Sequence, residues 1–310
     1  MNMFSKIKYM KIFIPKINES WIVDRFRSEW YENNRNTTTK SIHNADVIWI
    51  MAPWMWKKIP KFFLKRKKVL CTYHHFVKSK FSKSDFDDLD QYVNSYHAIS
   101  NNTEMQLREL TNKNIFTQPF WVNQKIWFPI ENKEAIRKDF DFSIDDYLIG
   151  SFQRDTESAD FKSPKLEKGP DIFFKIVSEI NKDKKNLLVV LTGKNRQYLI
   201  EKFKQHDIRY QYFEMIDQQK MNQLYNILNL YIVSSRVEGG PQSILECSAV
   251  NTPIISTDVG VANIILHTDS IYSDDYKLAK PNIQYANKSV QKYFLPEGLQ
   301  EYRLLFENLK

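Results

Sequence analysis

Two glutamates, Glu238 and Glu246, stand eight positions apart, and the stretch between them opens Gly239-Gly240-Pro241-Gln242-Ser243. The apolar run Leu230–Ser234 reads as a strand before them, and a helix is expected from about Gln242 to Val250. Proline suits a first helical turn because the N–H it lacks would be unpaired there anyway. The amides of Gln242, Ser243 and Ile244 are then expected to be open at a helix start, where partial positive charge favours a phosphate. Two glycines let such a ligand approach the backbone. Carboxylates repel phosphate, so Glu238 and Glu246 are expected to accept hydrogen bonds from hydroxyl groups on either side of it. The plainer alternative is an ordinary helix start with a surface glutamate.

Something must hold this turn in place, and the pattern around it is strand–helix alternation. In the second half, strands are expected at Tyr147–Phe152, Leu187–Thr192, Arg209–Phe213, Leu230–Ser234 and Pro253–Ser256. Helices are expected at Asp171–Asn181, Arg196–Gln205 and Gln219–Ile227. The first half gives strands at Met10–Ile14, Val47–Met51, Val69–Thr72, Tyr96–Ile99 and Ile115–Phe120, with helices at Trp21–Glu32 and Thr103–Leu110. Gln118–Ile130 reads as a linker, Glu134–Asp139 as a short helix, and Pro296–Asn308 as a terminal amphipathic helix. Short apolar runs alternating with amphipathic segments predict α/β layers of the doubly wound kind, with ligands at the carboxyl ends of the strands.

The stretch from Ser234 to Glu246, followed by Thr252-Pro253-Ile254-Ile255 and Val259-Gly260, resembles the donor-site signature of retaining glycosyltransferase family 4, among the glycosyl transferases group 1. The resemblance implies an α/β protein of the GT-B fold, two Rossmann-like domains facing across a cleft. It implies a metal-independent hexosyl transfer from a UDP- or GDP-linked nucleotide sugar, with retention of configuration. Glu238 would contact the donor sugar and Glu246 the ribose. Ile149–Arg154 and Lys168-Gly169-Pro170-Asp171 are similar to the segments that carry the family's basic pair, so Arg154 and Lys168 would neutralise the donor diphosphate. Fixed cations there lower the barrier to a departing diphosphate. The segment between them is long, which leaves Lys162 or Lys165 as substitutes for Lys168. Leu191–Lys194 and Tyr212–Ile216 resemble the strand ends that cradle the base, although plain turns explain them as well. Val69–His75 looks like the strand that carries an active-site histidine, which places His74 as a catalytic candidate able to donate to a sugar hydroxyl.

Departures from the pattern accompany the matches. The glycine-rich turn after the first strand is replaced by Lys16-Ile17-Asn18-Glu19-Ser20, where Ser20 is expected to cap the next helix. Asn251 replaces a common glycine, and no acidic residue follows Gly260 closely. No metal is expected: the Asp85–Asp87 and Asp139–Asp141 pairs read as solvated, and His74-His75 has no third ligand at useful spacing. The domains are expected at 1–146 for the acceptor side and 147–275 for the donor side. Residues 276–310 are expected to return towards the first domain.

The net charge of +8 is unevenly spread. Residues 1–149 hold 24 Lys+Arg against 17 Asp+Glu, while residues 150–310 hold 21 against 20. All seven glycines follow residue 149, which again directs phosphate binding to the second half. Residues 54–83 carry ten Lys or Arg, no acid, and six Trp or Phe. Such interleaving suits an anionic membrane surface or a nucleic acid, or a cationic exposed helix before a buried strand. Lipid-linked acceptors of the resembled family favour the membrane. Two distant cysteines in apolar surroundings, no signal peptide and no membrane-length apolar run predict a cytoplasmic protein, which residues 54–83 would let dock peripherally on a membrane. The expected partners are a nucleotide sugar and a glycan or lipid-linked acceptor. A DNA-modifying glucosyltransferase and a non-catalytic binding protein of the same fold are the alternatives.

Overall fold

The computed structural model describes residues 10–18 and 22–309. They form two compact units, each a parallel sheet wrapped by helices. One unit comprises the residues up to Trp121 together with those from Pro296 onward; the other is Val122–Leu295.

The first unit contains β1 (Ile12–Phe13), α1 (Ile22–Asn33), β2 (Val47–Ile50), α2 (Lys61–Arg66), β3 (Lys68–Tyr73), α3 (Lys83–Asp90), β4 (Ser95–Ala98), α4 (Asn101–Arg108) and β5 (Asn114–Thr117). Its five strands lie side by side in chain order, all parallel. β2 and β4 are buried along their whole length, as expected of strands covered on both faces. Ser82 and Ser100 cap α3 and α4 by accepting the amides of Asp85 and Thr103. Ser20, expected to cap α1, lies outside the described residues. Much of the chain's aromatic content is packed here, with Trp30, Trp49 and Trp121 fully buried. Tyr302 and Phe306, on the last helix of the chain, complete that cluster.

The second unit contains α5 (Lys133–Asp139), β6 (Tyr147–Ser151), α6 (Pro170–Asp183), β7 (Leu187–Thr192), α7 (Gln197–Gln205), β8 (Tyr210–Phe213), α8 (Gln218–Ile227), β9 (Leu230–Val233), α9 (Gln242–Ala249), β10 (Ile254–Thr257), α10 (Ala262–Ile265), β11 (Ile271–Tyr272) and α11 (Ile283–Val290). The terminal α12 (Gln300–Asn308) belongs to the first unit. The six parallel strands are ordered β8-β7-β6-β9-β10-β11. The chain winds outward from β6 in one direction and then, from β9, in the other. In such a sheet the crevice between the two central strands, at their carboxyl ends, is where ligands bind.

Each expected strand is present, while β11, α10 and α11 were not anticipated. The division between units also falls elsewhere than expected, at Trp121/Val122 and Leu295/Pro296 instead of 146/147 and 275/276. The Val122 amide bonds the Tyr293 carbonyl and the Leu295 amide bonds the Val122 carbonyl, so the two chain crossings run paired within the second unit. Trp127, Ile136 and Phe142 enter its core. Asn222 and Asn226 of α8 accept the amides of Phe128 and Ile130. The expected linker is therefore part of a folded domain.

Candidate active site

The turn after β9 is held from three sides. Arg236 and Val237 amides donate to the Glu167 carbonyl at 2.8 and 3.0 Å. The Arg236 guanidinium donates to both Asp171 oxygens, at 2.7 and 2.6 Å, and to the Leu166 carbonyl. That bidentate bond holds the Asp171 carboxyl below its ordinary range. Behind the turn, Thr257 donates to the Ser235 carbonyl. The third support is Gly260: its left-handed backbone lies so close to Gly239 that an added Cβ would sit 2.2 Å from the Gly239 oxygen. Gly239 and Gly240 themselves are not left-handed, so what they contribute is the absence of a side chain.

Lys168 meets this turn head on. Its Nζ donates to Glu238 Oε1 at 2.5 Å, and the two side chains are only 19% and 13% exposed. Gly169 makes the approach possible. At φ +60° it ends the short turn of Leu166–Lys168, and a Cβ there would lie 1.8 Å from the Ser234 oxygen. Pro170 then starts α6. Gln153, just past β6, ties the parts together: its Nε2 donates to the Lys168 carbonyl at 3.0 Å and its Oε1 accepts from Ser235 Oγ at 3.2 Å. The pair therefore stands in the crevice between β6 and β9.

Of the three lysines considered, Lys168 is the one beside Glu238. Lys165 faces Glu157 at 3.5 Å and Lys162 is exposed. The long segment before Lys168 is a closed hairpin, with the Glu157 amide bonded to Ser163 and that of Lys165 to Asp155. Arg154 is exposed beside it, its guanidinium 3.4 Å from Ser158 Oγ. The structure thus brings Lys168 to Glu238, while Arg154 is turned to Ser158.

α9 begins at Gln242 with Pro241 as its cap. One expected feature differs: the Ile244 amide is bonded to the Pro241 carbonyl at 2.9 Å and is not open to a ligand, because the first turn tightens on itself. The Ser243 hydroxyl is bonded to the phenol of Tyr231, which also accepts the Phe152 amide. Glu246 is buried inside the same helix and accepts from the Tyr225 hydroxyl at 3.0 Å. Burial, and then the Glu246 charge, push the Tyr225 phenol well up, so it remains a donor.

Two residues that sequence reasoning passed over support the site from below. Arg196, fully buried, pairs with Asp155 at 2.6 Å and donates to the carbonyls of Gln153 and Thr192. It pins the start of the hairpin to the ends of β6 and β7. A polar pair of this kind carries no local sequence signal, since Asp155 and Arg196 are 41 residues apart. Asn251 takes the left-handed conformation (φ 62°) in which asparagine replaces glycine.

In the first unit His74 follows β3 directly, at the strand's carboxyl end as expected. Its Nε2 lies 2.8 Å from the Met51 carbonyl, and a carbonyl only accepts. A neutral His74 therefore carries its proton on Nε2, where the Met51 carbonyl accepts it. A second, unanticipated histidine, His97 of β4, is fully buried. Its Nδ1 lies 3.0 Å from Thr72 Oγ1 and its Nε2 2.8 Å from the Gln118 carbonyl. Burial lowers its pKa to about 3, so it is a neutral structural group.

The basic stretch 54–83 does not form one face. Trp54, Lys57 and Lys58 follow the carboxyl end of β2, whereas Lys65, Arg66 and Lys67 precede β3 and Lys68 begins it, at the opposite edge of the sheet. Trp56 is buried, Lys57 pairs with Asp85, and Lys67 donates to the carbonyls of His43 and Ala45. Arg66 stacks on Phe62. Lys65, Arg66, Lys67 and Lys68 line a shallow recess with Ala45, Asp46 and Asn94. No helix among the described residues is long and apolar enough to cross a membrane, and no cluster of metal-ligating side chains occurs among them.

Comparison with known proteins agrees with this architecture. Residues 162–297 match the family described as glycosyl transferases group 1. No curated protein matches the sequence. Among solved structures, HepE of Anabaena in complex with UDP and glucose superposes with a TM-score of 0.79 at 11% identity, covering 97% of this chain and 100% of that one. A glycosyltransferase from Rickettsia africae gives 0.69 at 15% identity, covering 98% and 99%. Sucrose-phosphate synthase from Thermosynechococcus elongatus gives 0.66 at 15% identity, covering 93% and 78%. The fold is that of GT-B glycosyltransferases, with two Rossmann-like α/β domains. The family match spans residues 162–297, which include both members of the Lys168–Glu238 pair.

Proposed function

We propose that this protein transfers a hexose from a UDP-linked sugar to a glycan or lipid-linked acceptor, with retention of configuration as in family 4 and without a metal. The observation that carries the reading is the Lys168–Glu238 pair at the point where the sheet of the second unit reverses its winding. A cation and a carboxylate side by side suit the two parts of a nucleotide sugar, the diphosphate and the sugar hydroxyls. Glu246, buried and oriented by Tyr225, is assigned to the ribose, and Gly239 to Ser243 to the phosphates and the sugar between them. Arg154 is assigned as the second cation, reaching the diphosphate once its long side chain leaves Ser158. His74 is assigned to the acceptor side. UDP is preferred over GDP because the similar Anabaena protein is seen with UDP and glucose.

A thermal-shift titration tests the donor assignment, since a ligand that binds only the folded state raises its stability. UDP-glucose is expected to raise the midpoint and Glu246→Ala to abolish the rise. No response to any UDP- or GDP-sugar would count against the reading. We further propose that the first unit meets an anionic lipid surface through Lys65, Arg66 and Lys68 with the exposed Phe62 beside them. Co-sedimentation with anionic vesicles, lost on changing those cations to Ser, is the expected result. Binding to duplex DNA in its place would favour the DNA-modifying alternative.

A further inference from the structure

We propose that Glu238 makes the donor pocket discriminate an intact nucleotide sugar from the spent nucleoside diphosphate, by competing for Lys168. The proposal rests on the transferase reading above and adds to it a specificity role for the ion pair. Lys168 and Glu238 come from segments 70 residues apart, and both side chains are largely out of water. Their backbones are locked together. Two amides donate to Glu167, Arg236 grips Asp171 through two hydrogen bonds, Gln153 bridges Lys168 to Ser235, and Gly169 leaves no room between itself and Ser234. The segments cannot drift apart, so only the side-chain tips can change partner.

A diphosphate needs a cation, and Lys168 is held in the crevice beside Glu238. When its ammonium turns to a phosphate oxygen, Glu238 gives up that ion pair in a place of low water access. It then also faces a like charge. Both effects oppose binding of a nucleoside diphosphate alone. An intact donor carries sugar hydroxyls next to its diphosphate. Those hydroxyls donate to the carboxylate and offset what the ammonium withdrew. The pocket therefore favours the substrate over the product that shares its nucleotide, and product release follows from loss of the sugar.

The test is calorimetric titration of the full chain with UDP and UDP-glucose, and with GDP and GDP-mannose as a second pair. Wild type, Glu238→Gln, Glu238→Asp and Lys168→Gln are compared, each checked for an unchanged circular-dichroism spectrum. Glu238→Gln is expected to bind the diphosphate about tenfold more tightly than wild type, a change of about 1.4 kcal/mol. The same variant should bind the intact donor no better, so that the preference for the intact donor collapses. Glu238→Asp, which keeps the charge, should keep the preference, and Lys168→Gln should weaken both ligands. Diphosphate binding by Glu238→Gln that is unchanged or weaker, with the preference intact, overturns the proposal and leaves the transferase reading standing. Wild-type protein that binds neither pair overturns both.

Discussion

The two units are built on the same plan of parallel strands and covering helices, yet their strands are ordered differently. In the first, β1 to β5 lie in chain order among the described residues. In the second, β9 is laid beside β6, and the next connections wind the other way. The reversal opens a crevice at the strand ends, and the Lys168–Glu238 pair stands there. The second unit uses Gly169 and Gly260 where backbones nearly touch; among the described residues the first unit's left-handed position is Asn18 (φ 61°), where no such close approach occurs at a glycine. Buried polar chemistry differs as well. In the first unit His97, Thr72 and Trp49 form a satisfied chain that joins strands. The second unit's ion pair can exchange partners with a ligand.

The sharpest way to break this contrast is kinetic. Glu238→Ala is expected to lower kcat by about a hundredfold with a smaller change in KM, because a group touching the reacting sugar acts mainly in the transition state. Glu246→Ala should mainly raise KM. His74→Ala, in the first unit, should leave UDP affinity unchanged and lower transfer by about tenfold to a hundredfold. Steady-state kinetics with calorimetry separate these outcomes. Loss of UDP affinity in His74→Ala would erase the division of labour.

The glycines give the next largest effect. Gly169→Ala forces a Cβ onto the Ser234 oxygen at a left-handed backbone, and should cost upwards of about 2 kcal/mol together with donor affinity. Asn18→Gly in the first unit should change stability by no more than about 0.5 kcal/mol, since glycine takes that conformation freely. Denaturant midpoints measure both.

A pH effect of similar or smaller size belongs to the first unit. Unfolded His97 takes a proton near pH 6.5, and folded His97 refuses it until about 3. Between those values the unfolded chain binds more protons, so His97's contribution is complete above about pH 6.5 and is lost as pH falls. Between pH 7.5 and 5 this group should account for about 2 kcal/mol. His97→Gln should shrink the acid-side loss in denaturant midpoint by about that much; an undiminished loss would show that other groups govern it. Smallest of all, EDTA should leave transfer unchanged if Lys168 and Arg154 neutralise the diphosphate as proposed. A strict divalent-metal requirement in the transfer assay would refute this.

Much of the architecture was legible along the chain. Strands such as Leu187–Thr192 and the turn at Glu238–Pro241 are written in local patterns, namely apolar runs and glycine beside proline at a helix start. The domain limits were not legible, because residues 122–146 look like linker and short helix until Asn222, Asn226 and Arg137 are seen binding their backbone. The choice of Lys168 over Lys162 and Lys165 was equally hidden. Three lysines within seven residues have the same chemistry, and only the hairpin that closes at Asp155 and Lys165 turns Lys168 inward.

Which residue types carry the chemistry, and on which kind of element, is a local property, because backbone conformation answers to near neighbours. Which of them meet is a different matter. The Lys168–Glu238 and Arg196–Asp155 pairs, the neutral His97 and the sealed Ile244 amide all depend on how strands are ordered and how closely backbones pack. Strand order is settled by crossovers tens of residues long, whose outcome is a balance of packing over the whole core, and no short stretch of sequence encodes it.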